Sequence, residues 1–282
     1  MRRNLALASL ALSLASGGAA HAQLTVRSGT GANAAALTGI RDTFRTDLGG
    51  GTTAGANGSF GGVRREINWD GVPAGFSAPN NLPANFFNSN SPRGAVFSGG
   101  TGFQVSGNTA DAGAGQPAAA NFGNLNATYT AQFQTFSPQR LFTSLGSNVY
   151  DVTFFVPGTA TPALVTGFGA IFADVDVAGT TAIQFFDVNN VSLGAFAASP
   201  LSSGLSFLGA FTTNGLPQIS RVQITAGNTP IGPNDNNGSS DIVVADDFLY
   251  GEPVAPASAP EPGALGLILL GLPLLKLRRR TV

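Results

Sequence analysis

The recurrence of short apolar segments in the second half of the chain most constrains its fold. Residues such as Pro, Gly and Asn separate these segments. Short strands at this spacing are typical of antiparallel sandwiches and jelly rolls. We therefore expect an all-β, jelly-roll-like antiparallel β-sandwich, and the length allows one large β domain or two small ones. The predicted strands are residues 149–156, 165–173, 182–187, 191–198, 205–212, 219–225 and 242–250.

Two further patterns favour this architecture. Tyr129, Ala131 and Phe133 alternate with polar residues, which predicts another strand ahead of the series. Asn189 and Asn190 lie where a two-residue hairpin turn would join two segments. The chain also has 21 phenylalanines, whose bulky apolar rings suit a core between facing sheets.

One helix is predicted near the start of the domain, over Ala34–Leu48. Asn33 is placed to cap its first turn, and three glycines from Gly49 would end it. Long Gly- and Asn-rich loops are expected between residues 49 and 127. The apolar positions of the helix fall on one stripe at helical spacing, namely Leu37, Ile40, Phe44 and Leu48.

The N-terminus has the pattern of a secretory signal peptide. Arg2 and Arg3 precede an apolar region over residues 5–14, and the small residues Ala20 and Ala22 flank His21 before Gln23. We expect signal peptidase and the general secretion machinery to remove residues 1–22. The β-sandwich would then span residues 23–253, followed by a semi-rigid linker over residues 254–259.

The composition of residues 23–259 excludes several function classes. This segment has no lysine, cysteine or histidine, which excludes Ser-His-Asp and Cys-His catalysis and zinc sites built on these side chains. Its 8 arginines and 14 acidic residues give a net charge of −6. Such a balance argues against nucleic acid as a partner, because binding it relies on clustered basic residues. Carboxylates, guanidiniums, hydroxyls and amides remain for any chemistry.

The C-terminus has the pattern of a membrane stop-transfer segment. Pro260, Glu261 and Pro262 precede an apolar run over residues 263–275, which is shorter than the roughly 20 residues of a comfortable spanning helix. The basic residues beyond it would stay on the cytoplasmic side and leave the rest of the chain outside. These basic residues are Lys276, Arg278, Arg279 and Arg280.

This tail resembles the PEP-CTERM sorting signal of Gram-negative bacteria. The resemblance implies recognition by an exosortase-type membrane protease, cleavage near the Pro-Glu-Pro triplet, and release or transfer to the cell surface. It also places the protein near exopolysaccharide, which such systems generally accompany. A plain tail anchor without processing, and a protein held permanently in the membrane, are the alternatives.

The domain itself is similar to a family of uncharacterised secreted bacterial proteins that carry the same tail. The resemblance implies one continuous domain over most of residues 60–252, and it implies no activity. It rests on RREINWDG at 64–71, LPANFF at 82–87, RGAVF at 93–97, GFQVS at 102–106, FGAIFADVD at 168–176 and DDFLYG at 246–251.

Two pairs of aspartates are candidate calcium ligands. Asp174 and Asp176 follow an apolar strand, and Asp246 and Asp247 interrupt one. Calcium takes six to eight oxygens, and buried carboxylates are costly unless they are paired or bound to a metal. The alternative is that these aspartates accept backbone N–H bonds at turns. The acidic loop at residues 234–241 lacks EF-hand order and is interpreted as an exposed polar loop.

Glu66, Asp70 and Trp69 form the one compact group with an enzymatic pattern. Two carboxylates beside an aromatic ring suit a glycan hydrolase. Arg64 and Arg65, however, are placed to pair with these acids, which disfavours a general acid. Trp69 is a candidate platform for stacking a sugar, but strand alternation with Ile67 favours a core position.

The sequence as a whole predicts an exported, surface-sorted and non-catalytic protein of the cell envelope or exopolysaccharide matrix. Its role would be structural or glycan-binding, with calcium as a possible stabilising ion. The alternative function is a secreted glycan hydrolase that depends on carboxylates.

Overall fold

The computed structural model describes residues 23–107, 120–233 and 239–256. The predicted signal peptide, the end of the linker and the whole sorting signal lie outside these residues. The described residues fold into two antiparallel sheets with few helices, which confirms the all-β, sandwich-like single domain.

The described residues form thirteen strands and three α-helices. The helices are α1 (Ala34–Leu48), α2 (Phe86–Ser89) and α3 (Tyr129–Gln132). The strands are β1 (Leu24–Gly31), β2 (Ser59–Phe60), β3 (Arg64–Ile67), β4 (Ala95–Ser98), β5 (Gly102–Val105), β6 (Phe142–Leu145), β7 (Val149–Phe154), β8 (Gly167–Val175), β9 (Ala182–Phe186), β10 (Ser192–Ala197), β11 (Leu201–Thr212), β12 (Arg221–Thr225) and β13 (Val244–Gly251).

The larger sheet has the order β1-β11-β8-β13-β3-β2, and the smaller has the order β10-β9-β12-β7-β4. Strand β13 pairs with β8 along one side. On its other side it pairs first with β6 and then with β3, and β6 also pairs with β5. The change of partner along β13 positions the site described below.

Two hydrophobic cores lie on opposite faces of the larger sheet. The core between the sheets is rich in aromatic rings, including Phe97, Phe142, Phe168 and Phe248. The second core lies beneath α1, whose apolar stripe packs on the outer face of the larger sheet. Strand β8 is therefore buried along its whole length.

A pair of glycines lets α1 lie close to the sheet. Gly169 of β8 and Gly209 of β11 are opposite each other in the strand register. A Cβ atom built on either residue would come within 2.8 Å of the Phe44 ring, closer than real Cβ atoms approach. The ring of Phe44 thus occupies the space that two side chains would otherwise fill.

The predicted helix is confirmed, and the predicted hairpin forms with a three-residue loop over 188–190 instead of a two-residue turn, because the N–H of Asp187 donates to the carbonyl of Val191. Helix α1 has the predicted bounds, and the Asn33 side chain accepts a hydrogen bond from the Ala36 N–H at 3.1 Å. The helix ends at Gly49, whose φ of 94° is the left-handed conformation that favours glycine. Strands β9 and β10 form a hairpin, with Asn190 at a φ of 61° in the turn.

The strand predicted around Tyr129 is wrong, because this segment forms the short helix α3. Tyr129 and Phe133 are four residues apart, a spacing that places two side chains on one face in both a strand and a helical turn. Their rings stack with centroids 4.9 Å apart inside the core beneath α1. The alternation therefore identified Tyr129 and Phe133 as buried, but Ala131 is exposed and the backbone is helical.

Candidate functional site

A half-open cavity of about 380 Å³ lies among α1, β3 and β13. Helix α1 contributes two arginines and each strand contributes one carboxylate. We call this cavity the bulge pocket, because an irregularity in β13 brings one of its acids there. Its charged and hydroxyl lining residues are Arg41, Arg45, Glu66, Arg93, Ser137 and Asp247.

The bulge in β13 directs two adjacent acids to the same place. The register of β13 against β8 shifts between Ala245 and Phe248. Neighbouring side chains of a regular strand point to opposite faces, but an extra residue in one strand breaks that alternation. Asp246 and Asp247 consequently both contact the hydroxyl of Ser137, at 3.1 and 2.8 Å.

Asp246 is anchored more tightly than its neighbour. Its second carboxyl oxygen accepts the backbone N–H of Phe136, and its main-chain carbonyl accepts the indole N–H of Trp69 at 2.7 Å. Its side chain is fully buried, whereas Asp247 reaches the pocket. Asp246 therefore acts mainly as a structural group behind the pocket, and Asp247 is the acid that a ligand would meet.

Burial disfavours the simultaneous ionisation of Asp246 and Asp247. Burial raises the pKa of Asp246 well above its usual value, and the charge of Asp247 raises it further. Burial likewise raises the pKa of Asp247 to about 6, while the hydrogen bond from Asp246 opposes that rise. Two like charges this close disfavour double ionisation. The pair thus favours a single ionised carboxylate, and Asp247 is the first of the two to ionise.

Glu66 is held by two arginines. Arg45 donates to both carboxylate oxygens of Glu66, at 2.7 and 2.6 Å, and Arg64 donates to one of them at 3.0 Å. The predicted pairing of Arg64 with this acid is therefore found. Both oxygens already accept from guanidiniums, so neither is free to hold a proton for a substrate.

Asp70 and Arg65 do not join the hydrolytic group expected from the sequence. The carboxylate of Asp70 accepts the backbone N–H groups of Gln139 and Arg140, at 2.7 and 3.2 Å. Arg65 forms a two-point ion pair with Glu252 instead of an acid of the motif. Asp70 therefore orders the segment that carries Ser137, rather than facing a substrate.

Arg41 and Arg93 have hydrogen-bond donors to spare. Arg41 uses its Nε on Asp42 at 2.6 Å and lies over the Phe136 ring at 4.9 Å, and no described residue accepts from its two terminal nitrogens. Arg93 donates from one terminal nitrogen to Ser91, and its buried Nε has no partner among the described residues. Burial lowers the pKa of Arg93, which remains a cation at neutral pH.

Asp174 and Asp176 lie in different environments. Asp174 has a φ of 65°, is 2 % exposed, and accepts the Ser203 N–H at 2.6 Å. Asp176 is exposed, and its backbone N–H donates to the buried carboxylate of Asp241. Asp241 also accepts from Val177 N–H and from a threonine hydroxyl, so it organises the loop after β8.

Calcium at either acid pair stays a prediction. Within residues 23–107, 120–233 and 239–256, no three acidic, histidine or cysteine side chains are grouped as metal ligands. Burial raises the pKa of Asp174 to about 6, and the nearby charges of Asp176 and Asp241 add to that rise. A divalent cation would relieve this repulsion, whereas the bond to Ser203 satisfies one oxygen without a metal.

Trp69 is a core residue, so its interpretation as an exposed sugar platform is wrong. Its side chain is 1 % exposed and stacks on Phe142 with ring centroids 4.2 Å apart. The strand alternation with Ile67 correctly favoured this position. Because both the ring face and the indole N–H are already engaged, no ligand can stack there.

Sequence reasoning missed the arginines of the pocket. Arg41 and Arg45 are four residues apart in α1 and therefore lie on one helix face, beside the buried stripe. That spacing was the available signal. Ser137 had none, because only the bulge in β13 brings two acids to its hydroxyl.

The tail residues of the predicted sorting signal, Pro260, Glu261, Pro262, Arg278, Arg279 and Arg280, lie outside the described residues. Within the part of the chain that the structure describes, no helix has the length and apolar character to span a membrane. Comparison with protein families and with curated proteins found no match for this chain.

Proposed function

We propose that this chain is an exported, surface-sorted and non-catalytic protein that binds glycan in the bulge pocket. The pocket is the observation that carries the binding role. Its volume of about 380 Å³ lies in the range of small-molecule sites. Guanidinium donors lie beside carboxylate and hydroxyl acceptors, and sugar hydroxyls can both donate and accept. A hydroxyl-rich ligand therefore suits this lining.

Obstruction of the pocket tests the binding role. Gly71 lines the pocket, and a Cβ atom at this position would meet nothing within 4 Å. Gly71→Trp should therefore fill the cavity without disturbing the backbone. Gly75→Trp is the matched control, because Gly75 has the same free space and does not line this pocket.

The measurement is isothermal titration of the mature protein with oligosaccharides released from the host exopolysaccharide. We expect binding to the wild type and to Gly75→Trp, and at least a tenfold loss in Gly71→Trp. Equal affinity in all three proteins would place the binding elsewhere. No binding to any of them would reject the glycan role.

Export and sorting are proposed from the two ends of the chain. Signal peptidase would remove residues 1–22, and an exosortase-type protease would act at Pro260, Glu261 and Pro262. The protein would then lie at the cell surface or in the exopolysaccharide matrix. Intact mass of the surface form should lack both ends. A mass that still includes residues 263–282 would support a protein held permanently in the membrane.

The second candidate function is a carboxylate-dependent glycan hydrolase. One observation favours it: Asp247 borders the pocket with a pKa raised to about 6 by burial, which suits a general acid. The engaged oxygens of Glu66 argue against it, because a hydrolase needs a second free carboxylate. We expect no reducing sugar from the wild type. Release that disappears in Asp247→Asn would establish the hydrolase.

Calcium is proposed only as a stabilising ion of the loop after β8. Asp174, Asp176 and Asp241 place negative charge in one region, which favours a bound cation. This role is separate from the bulge pocket, and a calcium-dependent rise in Tm tests it.

A further inference from the structure

The bulge pocket concentrates the cationic groups of the domain. Residues 23–259 contain eight arginines and no lysine, and three of those arginines line this one cavity. Arg64 lies directly behind it, bonded to Glu66. The domain is acidic overall, so this local collection of guanidiniums contrasts with the rest of the molecule.

The acids near the pocket do not cancel this charge. Glu66 is engaged by Arg45 and Arg64, while Asp42 is shared between Arg41 and Arg45 at 2.6 and 3.2 Å. Asp247 supplies the third carboxylate. Because burial and mutual repulsion disfavour ionisation of both Asp246 and Asp247, this pair counts as one carboxylate. Four guanidiniums then face three carboxylates, and one positive charge is left for a ligand.

The free donors are on Arg41, which shares Asp42 with Arg45, and on Arg93, whose one described side-chain acceptor is the hydroxyl of Ser91. The terminal N–H groups of Arg41 donate to no acceptor among the described residues, since its one side-chain hydrogen bond there is from Nε to Asp42. Arg93 forms no ion pair among the described residues and leaves its buried Nε without a partner. Guanidinium groups in this state bind planar or tetrahedral oxyanions through charge-assisted hydrogen bonds.

We propose that the bulge pocket selects saccharides that carry one anionic substituent, a carboxylate or a sulfate ester. Arg41 and Arg93 hold the anion, and Asp247 and Ser137 accept or donate to the sugar hydroxyls. The proposal rests on the glycan-binding function above and deepens it. The single surplus charge favours a monoanion over a neutral sugar.

Matched disaccharides test the selection. The probes are a disaccharide ending in glucuronate, its neutral counterpart ending in glucose, and the 6-sulfate of the neutral one. Isothermal titration of the mature protein measures each affinity at low and at high salt. We expect the anionic probes to bind at least tenfold more tightly at low salt, and the difference to shrink at high salt. The comparison of carboxylate with sulfate identifies the preferred anion.

Variants assign the selection to the two arginines. Arg41→Gln and Arg93→Gln should each lower the affinity for the anionic probe about tenfold and leave that for the neutral probe unchanged. Arg221→Gln is the control, because Arg221 pairs with Asp151 in the smaller sheet, away from the pocket. Thermal unfolding of each variant verifies that it folds. Arg41→Lys should retain part of the preference for the anionic probe if charge alone acts.

The outcomes separate this proposal from the function on which it rests. Equal binding of neutral and anionic probes, lost in Gly71→Trp, would retain the glycan role and overturn the anion selection. Anion binding that is unchanged in both arginine variants would also overturn it. No binding of any probe to the wild type would reject both proposals.

Discussion

The two aspartate pairs of this domain are similar in sequence and opposite in structure. Asp174 and Asp176 are two residues apart, which in a regular strand would place both on one face. Asp246 and Asp247 are adjacent and would point apart. The backbone is left-handed at Asp174, which is buried while Asp176 is exposed, whereas the bulge in β13 brings both acids of the second pair to one hydroxyl. Sequence spacing therefore predicts which carboxylates can meet only where the strand stays regular.

The two regions also differ in what compensates their charge. The carboxylates of the β8 loop accept mainly from backbone N–H groups. The bulge pocket instead uses guanidiniums, a serine hydroxyl and a shared proton. We expect the loop to tolerate the loss of one side chain better, because its donors belong to the main chain. Substitutions in the two regions should therefore differ in their cost to stability.

The largest effect should come from Arg45→Ala. This substitution removes both bonds that Arg45 gives to Glu66, an acid only 8 % exposed, and leaves a buried charge with one partner. We expect a loss of about 4 kcal/mol in the free energy of unfolding, measured by urea denaturation. Arg27→Ala is the control, since its more exposed pair with Asp47 should contribute less than about 1 kcal/mol. Equal losses would contradict the buried ion-pair argument.

Asp246→Asn should lower the free energy of unfolding much less than Asp246→Ala. Asp246→Asn resembles the protonated acid and keeps an acceptor for the Phe136 N–H. Asp246→Ala leaves that N–H unsatisfied and opens a small void, which should cost about 2–3 kcal/mol. Urea denaturation at neutral pH should show less than half that loss for the amide. A larger loss for Asp246→Asn would indicate that this acid is ionised.

Titration of Asp247 should contribute to the pH dependence of the free energy of unfolding. Its pKa is about 6 in the folded protein and near 3.8 when unfolded. Between these values the folded state binds more protons, so this group lowers stability as pH rises from about 4 to 6 and favours folding most below pH 4. Between pH 4 and pH 6, the free energy of unfolding of the wild type should fall by about 2 kcal/mol relative to that of Asp247→Asn, as measured by urea denaturation. Parallel profiles for the two proteins would contradict the raised pKa.

Calcium should give the smallest effect. Asp176 is exposed and Asp174 already accepts one backbone bond, so we expect a site that fills only at millimolar calcium. At a concentration equal to Kd, binding adds about 0.4 kcal/mol, or about 1 °C in Tm. Thermal unfolding in EDTA and in calcium measures this shift. Asp176→Asn should remove it, and Asp246→Asn should not.

Helix α1 and the strands of the second half of the chain could be anticipated, because they depend on local patterns. The cap at Asn33, the glycine that ends α1 and the hairpin at Asn190 are signals within a few residues. The pocket could not be anticipated in the same way. It depends on where β13 changes its partner from β6 to β3, which is a long-range pairing. Tyr129 and Phe133 show the same limit, since their spacing fits a strand and a helical turn equally well.

The glycine pair beneath Phe44 has a consequence for the pocket as well as for packing. In the same helix, Arg45 directly follows Phe44 and Arg41 lies three residues before it, so the height of that helix above the sheet sets how deep their guanidiniums reach. Because Gly169 and Gly209 have no Cβ atom, α1 can lie close to the sheet, and this spacing sets the position of the charge that a ligand meets. A change as small as one carbon atom on the sheet would be transmitted as a displacement of the cations.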